Sequence, residues 1–361
     1  MKKLITLILA LAGMVSTASA GEYGWYDISM TIGGTTTNPS IWSGDPTNPT
    51  DLGILSDMTI TSIAFKVWSD ANDRGGANMF FKVYDDKGQV GDNQDLYLGS
   101  ATRIDGKSHD FAISWSGTKD LAAAVSLTLV PGKTYYIDLW AKTYGTSGDE
   151  WYSNNNNANY HAKLVYAPAS CDVTANLANG AYWATFYCNG ANYQAPEGTQ
   201  VFAVSLSGTT LTMLPIADRI VKSGQGVVLK QATASSDATT TITLTKTASE
   251  SATSYDGNSL GGTTDGITTT GDNDYYVLGN SDNGVGFYKL SNSGSIGSNK
   301  AYLTYSASAR EFFGFDETTG INATLNNKEE KINENCYDLQ GRRVAQPTKG
   351  LYIVNGKKVI K

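Results

Sequence analysis

The chain has two histidines, His109 and His161, which narrows the acid–base chemistry open to it. His109 leads into a strand-like run from the turn at Lys107-Ser108, and His161 opens another, so each reads as a polar residue at a sheet edge. HExxH, GxSxG and P-loop spacings are absent. A Cys–His nucleophile would need Cys171 or Cys188, whose short separation suits a disulfide across a hairpin better. Glycoside hydrolysis needs two carboxylates roughly 5–10 Å apart across a cleft. Asp149-Glu150, beside Trp151-Tyr152, is the most suggestive pair, but neighbours on a strand point to opposite faces. A glycoside hydrolase is therefore the lesser alternative, and the expectation is a protein that is not an enzyme.

The stronger signal is aromatic. Tyr144, Asp149, Glu150, Trp151, Tyr152 and Asn154 fall in one polar, Gly-rich, loop-like segment. Sugar rings stack their C–H faces on aromatic planes, while carboxylates and amides bind the hydroxyls, so these six residues form the expected carbohydrate site. Trp25, Tyr26 and Trp42 have similarly polar neighbours, whereas Trp68, Trp115 and Trp140 lie in strand-like runs and read as core. Asp70 to Gly75 starts like an EF-hand loop but has Arg74 at the fifth position and no Glu at the twelfth. Asp85, Asp86, Asp92 and Asp95 are rich enough in oxygen to wrap a structural Ca2+; a solvated acidic hairpin loop is the plainer reading. No other cofactor is expected.

Residues 1–20 have the pattern of a secretory signal peptide: Lys2-Lys3, an apolar run from Leu4 to Val15, and Ala18-Ser19-Ala20 before the cleavage point. The run is shorter than a membrane span needs, so the mature chain is expected to carry no span. The net charge of −7 grows more negative once the two lysines leave, which argues against nucleic acid and anionic membrane as partners.

Short runs of β-branched and aromatic residues between Gly, Asn, Asp and Pro clusters predict an all-β chain of two antiparallel sandwich-like domains, 21–168 and 169–316. Only Lys119 to Val125 reads as a helical turn. Residues 317–334 have linker composition, and 335–361 recover strand character, with Asn355-Gly356 set for a two-residue hairpin turn.

The tail, Cys336 to Val344 followed by Lys349 to Lys361, resembles the C-terminal sorting domain of type IX secretion substrates in Bacteroidota, in Prevotella- and Bacteroides-like genera. The resemblance rests on Tyr337, Leu339, Gly341 and Val344, then on Lys349-Gly350-Leu351-Tyr352-Ile353-Val354 and a terminal basic strand. It implies handling by the type IX secretion machinery, removal of the tail, and a place on the outer surface of a Gram-negative cell or in the medium. Tyr182 to Tyr187, Gly224 to Leu229 and Gly286 to Lys289 with Asn299 to Leu303 resemble a β module that often precedes such tails, which implies a spacer or stalk. Together these readings predict a non-catalytic surface protein whose first sandwich binds polysaccharide; a structural or adhesive protein that binds another protein is the alternative.

Overall fold

The computed structural model describes residues 24–38, 49–68, 72–107, 109–146, 150–153, 159–306, 310–315, 336–337, 351–354 and 357–360. The expected signal peptide, the linker, Trp42, Asp149 and Asn154 lie outside them. The chain divides into two compact units, one up to Phe315 and one from Asp316.

Eleven strands build the first half of the larger unit: β1 (Gly24–Ile32), β2 (Thr35–Thr37), β3 (Thr50–Leu55), β4 (Thr59–Trp68), β5 (Gly76–Asp85), β6 (Gly88–Gly99), β7 (Thr102–Arg103), β8 (Asp110–Asp120), β9 (Thr134–Tyr144), β10 (Glu150–Ser153) and β11 (Tyr160–Tyr166). They form two sheets, β2-β1-β4-β8-β7 and β3-β11-β9-β5-β6, with β10 also paired to β9. The pairs are antiparallel except that β3 runs parallel to β11, with Thr50 opposite Ala162. A purely antiparallel sandwich was the expectation. The long path from β3 to β11, through both sheets, is what permits the parallel pair.

Alternation decides which face each strand buries. In β4, Ile63, Phe65 and Val67 point inward, and Ile60 joins them only because a bulge resets the phase between Ile60 and Ser62. From the facing sheet, Met79, Phe81, Ile137, Leu139 and Leu164 complete the interior. The helical turn is there: α1 (Leu121–Ala124) starts from Asp120, whose carboxylate accepts the Ala123 N–H at 3.1 Å.

The second half adds β12 (Ser170–Ala178), β13 (Ala181–Phe186), β14 (Asn192–Gln194), β15 (Thr199–Ser207), β16 (Thr210–Pro215), β17 (Ile220–Val221), β18 (Val227–Ala232) and β19 (Thr239–Thr247). These make one curled sheet, β16-β15-β18-β13-β12-β19-β14-β17. Over it lies a second sheet, β20-β25-β22-β23-β26, from β20 (Leu260–Thr263), β22 (Tyr275–Ser281), β23 (Gly284–Lys289), β25 (Lys300–Thr304) and β26 (Phe312–Gly314). The small pair β21 (Ile267–Thr268) and β24 (Ser295–Ile296) completes this half. Strand β13, AYWATF, is buried along its whole length. Tyr182, Ala184 and Phe186 enter the core inside the curl, and Ala181 and Trp183 enter the core between the sheets. A strand covered on both faces needs such an unbroken apolar run.

Cys171 and Cys188 are free, buried thiols, contrary to the expected disulfide. The β12–β13 ladder ends at Asn176 opposite Trp183, and Cys171 pairs instead with Leu244 on β19. Each sulfur has its own neighbour: Cys171 meets the Tyr193 hydroxyl, and Cys188 Sγ donates to Asn189 O at 3.2 Å. Burial pushes the Cys188 thiol up to about 12, so it is not poised as a thiolate.

A lysine joins the two halves. Lys133 Nζ, on a side chain 9 % exposed, lies 3.3 Å from Asp85, 2.8 Å from Asp86 and 2.9 Å from Asp265. Asp85 and Asp86, expected with Asp92 and Asp95 to form either a calcium loop or a solvated acidic loop, are thus paired with a lysine, while Asp92 and Asp95 lie exposed on β6. Among the described residues, no three His, Cys, Asp or Glu side chains gather closely enough to hold a metal ion. Beside the lysine, Gly132 has φ +82, and a Cβ there would come within 2.6 Å of the Asn189 backbone nitrogen, so glycine lets the halves touch. Asn299 Nδ2 spans the joint, donating to Pro131 O at 2.7 Å and Tyr187 O at 3.1 Å.

The smaller unit holds β27 (Cys336–Tyr337), β28 (Leu351–Val354) and β29 (Lys357–Ile360), paired in that order. Val354 opposes Lys357, which leaves two residues for the turn, as the Asn-Gly pair predicts.

Burial alone would lower the Lys133 pKa, but Asp86, Asp265 and Asp85 outweigh it and hold it above the ordinary lysine range. The Lys133 ammonium in turn holds Asp86 below the usual carboxylate range. Lys133→Met should cost about 2 kcal/mol at pH 7, less than the ~3–5 of a fully buried pair because Asp86 and Asp265 reach solvent. The Asp86 share is present above the unfolded carboxylate pKa of about 4 and disappears as pH falls through its lowered folded value. Urea unfolding of both proteins at pH 7 and pH 3 checks this: the gap between them should shrink at the lower pH.

Candidate binding face

The outer face of the β3-β11-β9-β5-β6 sheet is the candidate site, and the pleat of β9 builds it. Tyr135, Ile137, Leu139, Ala141 and Thr143 are buried; between them Tyr136, Asp138, Trp140, Lys142 and Tyr144 fall on the opposite face. Pairing with β5 sets Tyr84 beside Tyr136, Lys82 beside Asp138, Phe80 beside Trp140 and Asn78 beside Lys142. On the other flank, β11 sets His161 beside Asp138. From Tyr136 to Tyr144 the row runs roughly 26 Å, at about 3.3 Å per residue.

Contacts lock these side chains together. Phe80 and Trp140 stack at 5.6 Å with planes 15° apart, and Lys82 Nζ lies 5.3 Å from the Trp140 ring. Tyr136 stacks on His161 at 5.7 Å and 5°, with the Tyr84 ring edge-on to the imidazole at 6.4 Å. His161 Nδ1 is in direct contact with Asp138 Oδ1, and the Tyr84 hydroxyl donates to the other carboxylate oxygen at 3.3 Å. Burial, then the Asp138 charge, raises the Tyr84 pKa, which keeps that hydroxyl a donor. At the far end Tyr144 bonds Tyr97 from β6, a ring 58 % exposed. Burial and that bond raise the Tyr144 pKa.

The residues expected from the sequence are distributed unevenly over this face. Tyr144 is on it, at its open end. Glu150, Trp151 and Tyr152 lie in strand β10 rather than in a loop, opposite Tyr144, Thr143 and Lys142 of β9. Trp25 is 1 % exposed and meets Phe65 edge-on at 5.3 Å, so it is core and not a surface aromatic. Trp140 is the reverse case: it is 9 % exposed, yet it lies outside the interior cluster, covered by Phe80 and Lys82 on the outer face. His161 is not at a sheet edge either, since β11 pairs with β3 on one side and β9 on the other.

Tyr97, Phe80, Tyr136, Asp138 and His161 were not in the expected site. The signal for five positions of the face, Tyr136, Asp138, Trp140, Lys142 and Tyr144, is in TYYIDLWAKTY, where every second residue from Tyr136 is polar or aromatic and the others suit a core. Tyr97 carries no comparable local mark.

Gly76 makes the open end possible: a Cβ there would lie 2.7 Å from the Tyr144 ring and 2.8 Å from Gly99 O. Gly76→Ala should therefore push Tyr144 aside and cost about 1–3 kcal/mol, read by urea unfolding. No protein-family model and no curated protein matches this chain.

Proposed function

We propose that this is an exported, non-catalytic protein whose first β sandwich binds polysaccharide on the outer face of the β3-β11-β9-β5-β6 sheet. The observation that supports it is the continuous aromatic face ending in Tyr97, an exposed ring bonded to Tyr144. Tyrosines suit sugars because the ring accepts C–H contacts while the hydroxyl exchanges hydrogen bonds. Asn78 and Lys142 stand in register beside this end, and Asp138 and His161 beside the other, as polar groups for hydroxyls along a chain. Rings already locked by their neighbours lose little freedom on binding.

Affinity electrophoresis of the full chain in gels containing starch, xylan or β-glucan tests the proposal. At least one polymer should retard it, and Tyr97→Ala or Tyr144→Ala should weaken retardation roughly tenfold, as loss of one good stacking platform would. Trp68→Ala, on the opposite sheet, should leave it unchanged. Mobility unaltered by every polymer would overturn the reading and favour a protein partner; polymer cleavage would make the chain a glycoside hydrolase.

In this reading the signal peptide and the tail direct the protein to the outer surface of a Gram-negative cell or into the medium through the type IX machinery. Deleting residues 335–361 should leave the protein in the periplasm of its own host. Undiminished appearance outside the cell would remove that part of the proposal.

A further inference from the structure

The second half of the larger unit contains a cleft of about 570 Å³ between its two sheets. Trp183, Leu278, Val285 and Ile296 give it apolar walls, and Asn176 and Lys300 bring polar groups to it. The volume is that of a small-molecule site, and polar residues, Asn176, Asn280, Ser295 and Lys300 among them, make up a large part of the lining. Its walls are fixed. The Trp183 indole N–H donates to Ala178 O at 3.1 Å, and the ring stacks on Phe315 at 5.7 Å and 9°.

Lys300 is the unusual member. Lys133 has three carboxylates, Lys246 donates to Ala167 O at 2.9 Å, and Lys230 sits 4.7 Å from the Trp183 ring. Lys300 is partly buried at the start of β25; its backbone pairs with Thr263, and among the described residues its side chain has no hydrogen bond or ion pair. Burial alone lowers its pKa; no nearby charge contributes. An ammonium withdrawn from water without a counter-ion destabilises a fold, and a methionine of similar shape would avoid that penalty.

We propose that the cleft binds a small organic anion, its apolar body against Trp183, Leu278, Val285 and Ile296 and its acidic group on the Lys300 ammonium. The missing counter-ion then comes from the ligand. The second half becomes a binding module in its own right and more than a spacer, whether or not the first half binds glycan.

Anilinonaphthalene sulfonate, a fluorescent probe with a flat apolar body and one anionic group, tests this on the full chain. The unmodified protein should show one saturable site, and Lys300→Met should weaken it roughly tenfold or more, the worth of a charge-assisted contact. Uncharged phenylnaphthylamine should bind both proteins equally and the unmodified protein more weakly than the sulfonate does. Lys66→Met, which removes a partly exposed lysine of β4 in the first half, should leave sulfonate binding intact. Absence of a saturable site, or equal sulfonate affinity before and after Lys300→Met, overturns the proposal. If Lys300→Met does not fold, the two probes on the unmodified protein decide: equal affinity for them overturns it.

Discussion

The pleat of strand β9 is the constraint on which the first sandwich depends. It is paired to β5 along one flank and to β10 and β11 along the other, so it cannot rotate. Sequence parity along Thr134–Tyr144 therefore decides which side chains build the core and which build the outer face. A slip of one residue would bury Asp138 and Lys142 and expose Ile137 and Leu139, a cost that fixes the register. Core packing and the aromatic face are two results of one alternation.

The second half applies the same principle twice over. Strand β13 feeds a core on each side, so its residues border open space only where the two sheets part. The cleft beside Trp183 and Lys300 is such a place. The two halves meet through polar groups, the Lys133 carboxylate cluster and Asn299, with Gly132 admitting close backbone approach. A joint of this kind orients the modules by directional bonds, while each keeps its own apolar core.

Much of the strand content could be read directly. The apolar runs from Thr59 to Trp68 and from Thr134 to Trp140 are strands, the turn near Leu121 is helical, and the Asn-Gly pair near the end joins β28 to β29. Sidedness was harder. Trp25, amid polar neighbours, is core because β1 pairs with β4 and brings it to Phe65. Trp140, between apolar neighbours, lies on the outer face because Leu139 and Ala141 take the inner one. Glu150 to Tyr152 read as loop because Gly and Ser precede them, yet pairing with β9 draws them into a strand.

Local chemistry sets what neighbouring residues can do: alternation, turn formation, capping by Asp120, and the all-β class that follows from them. Partners distant in sequence are another matter. Asp85 and Asp86 pair with Lys133, Cys171 and Cys188 remain unbonded thiols, and His161 finds Asp138. Tyr97 reaches Tyr144 across a glycine. These pairings depend on sheet order and register, which long-range backbone hydrogen bonds establish and no short stretch of sequence encodes.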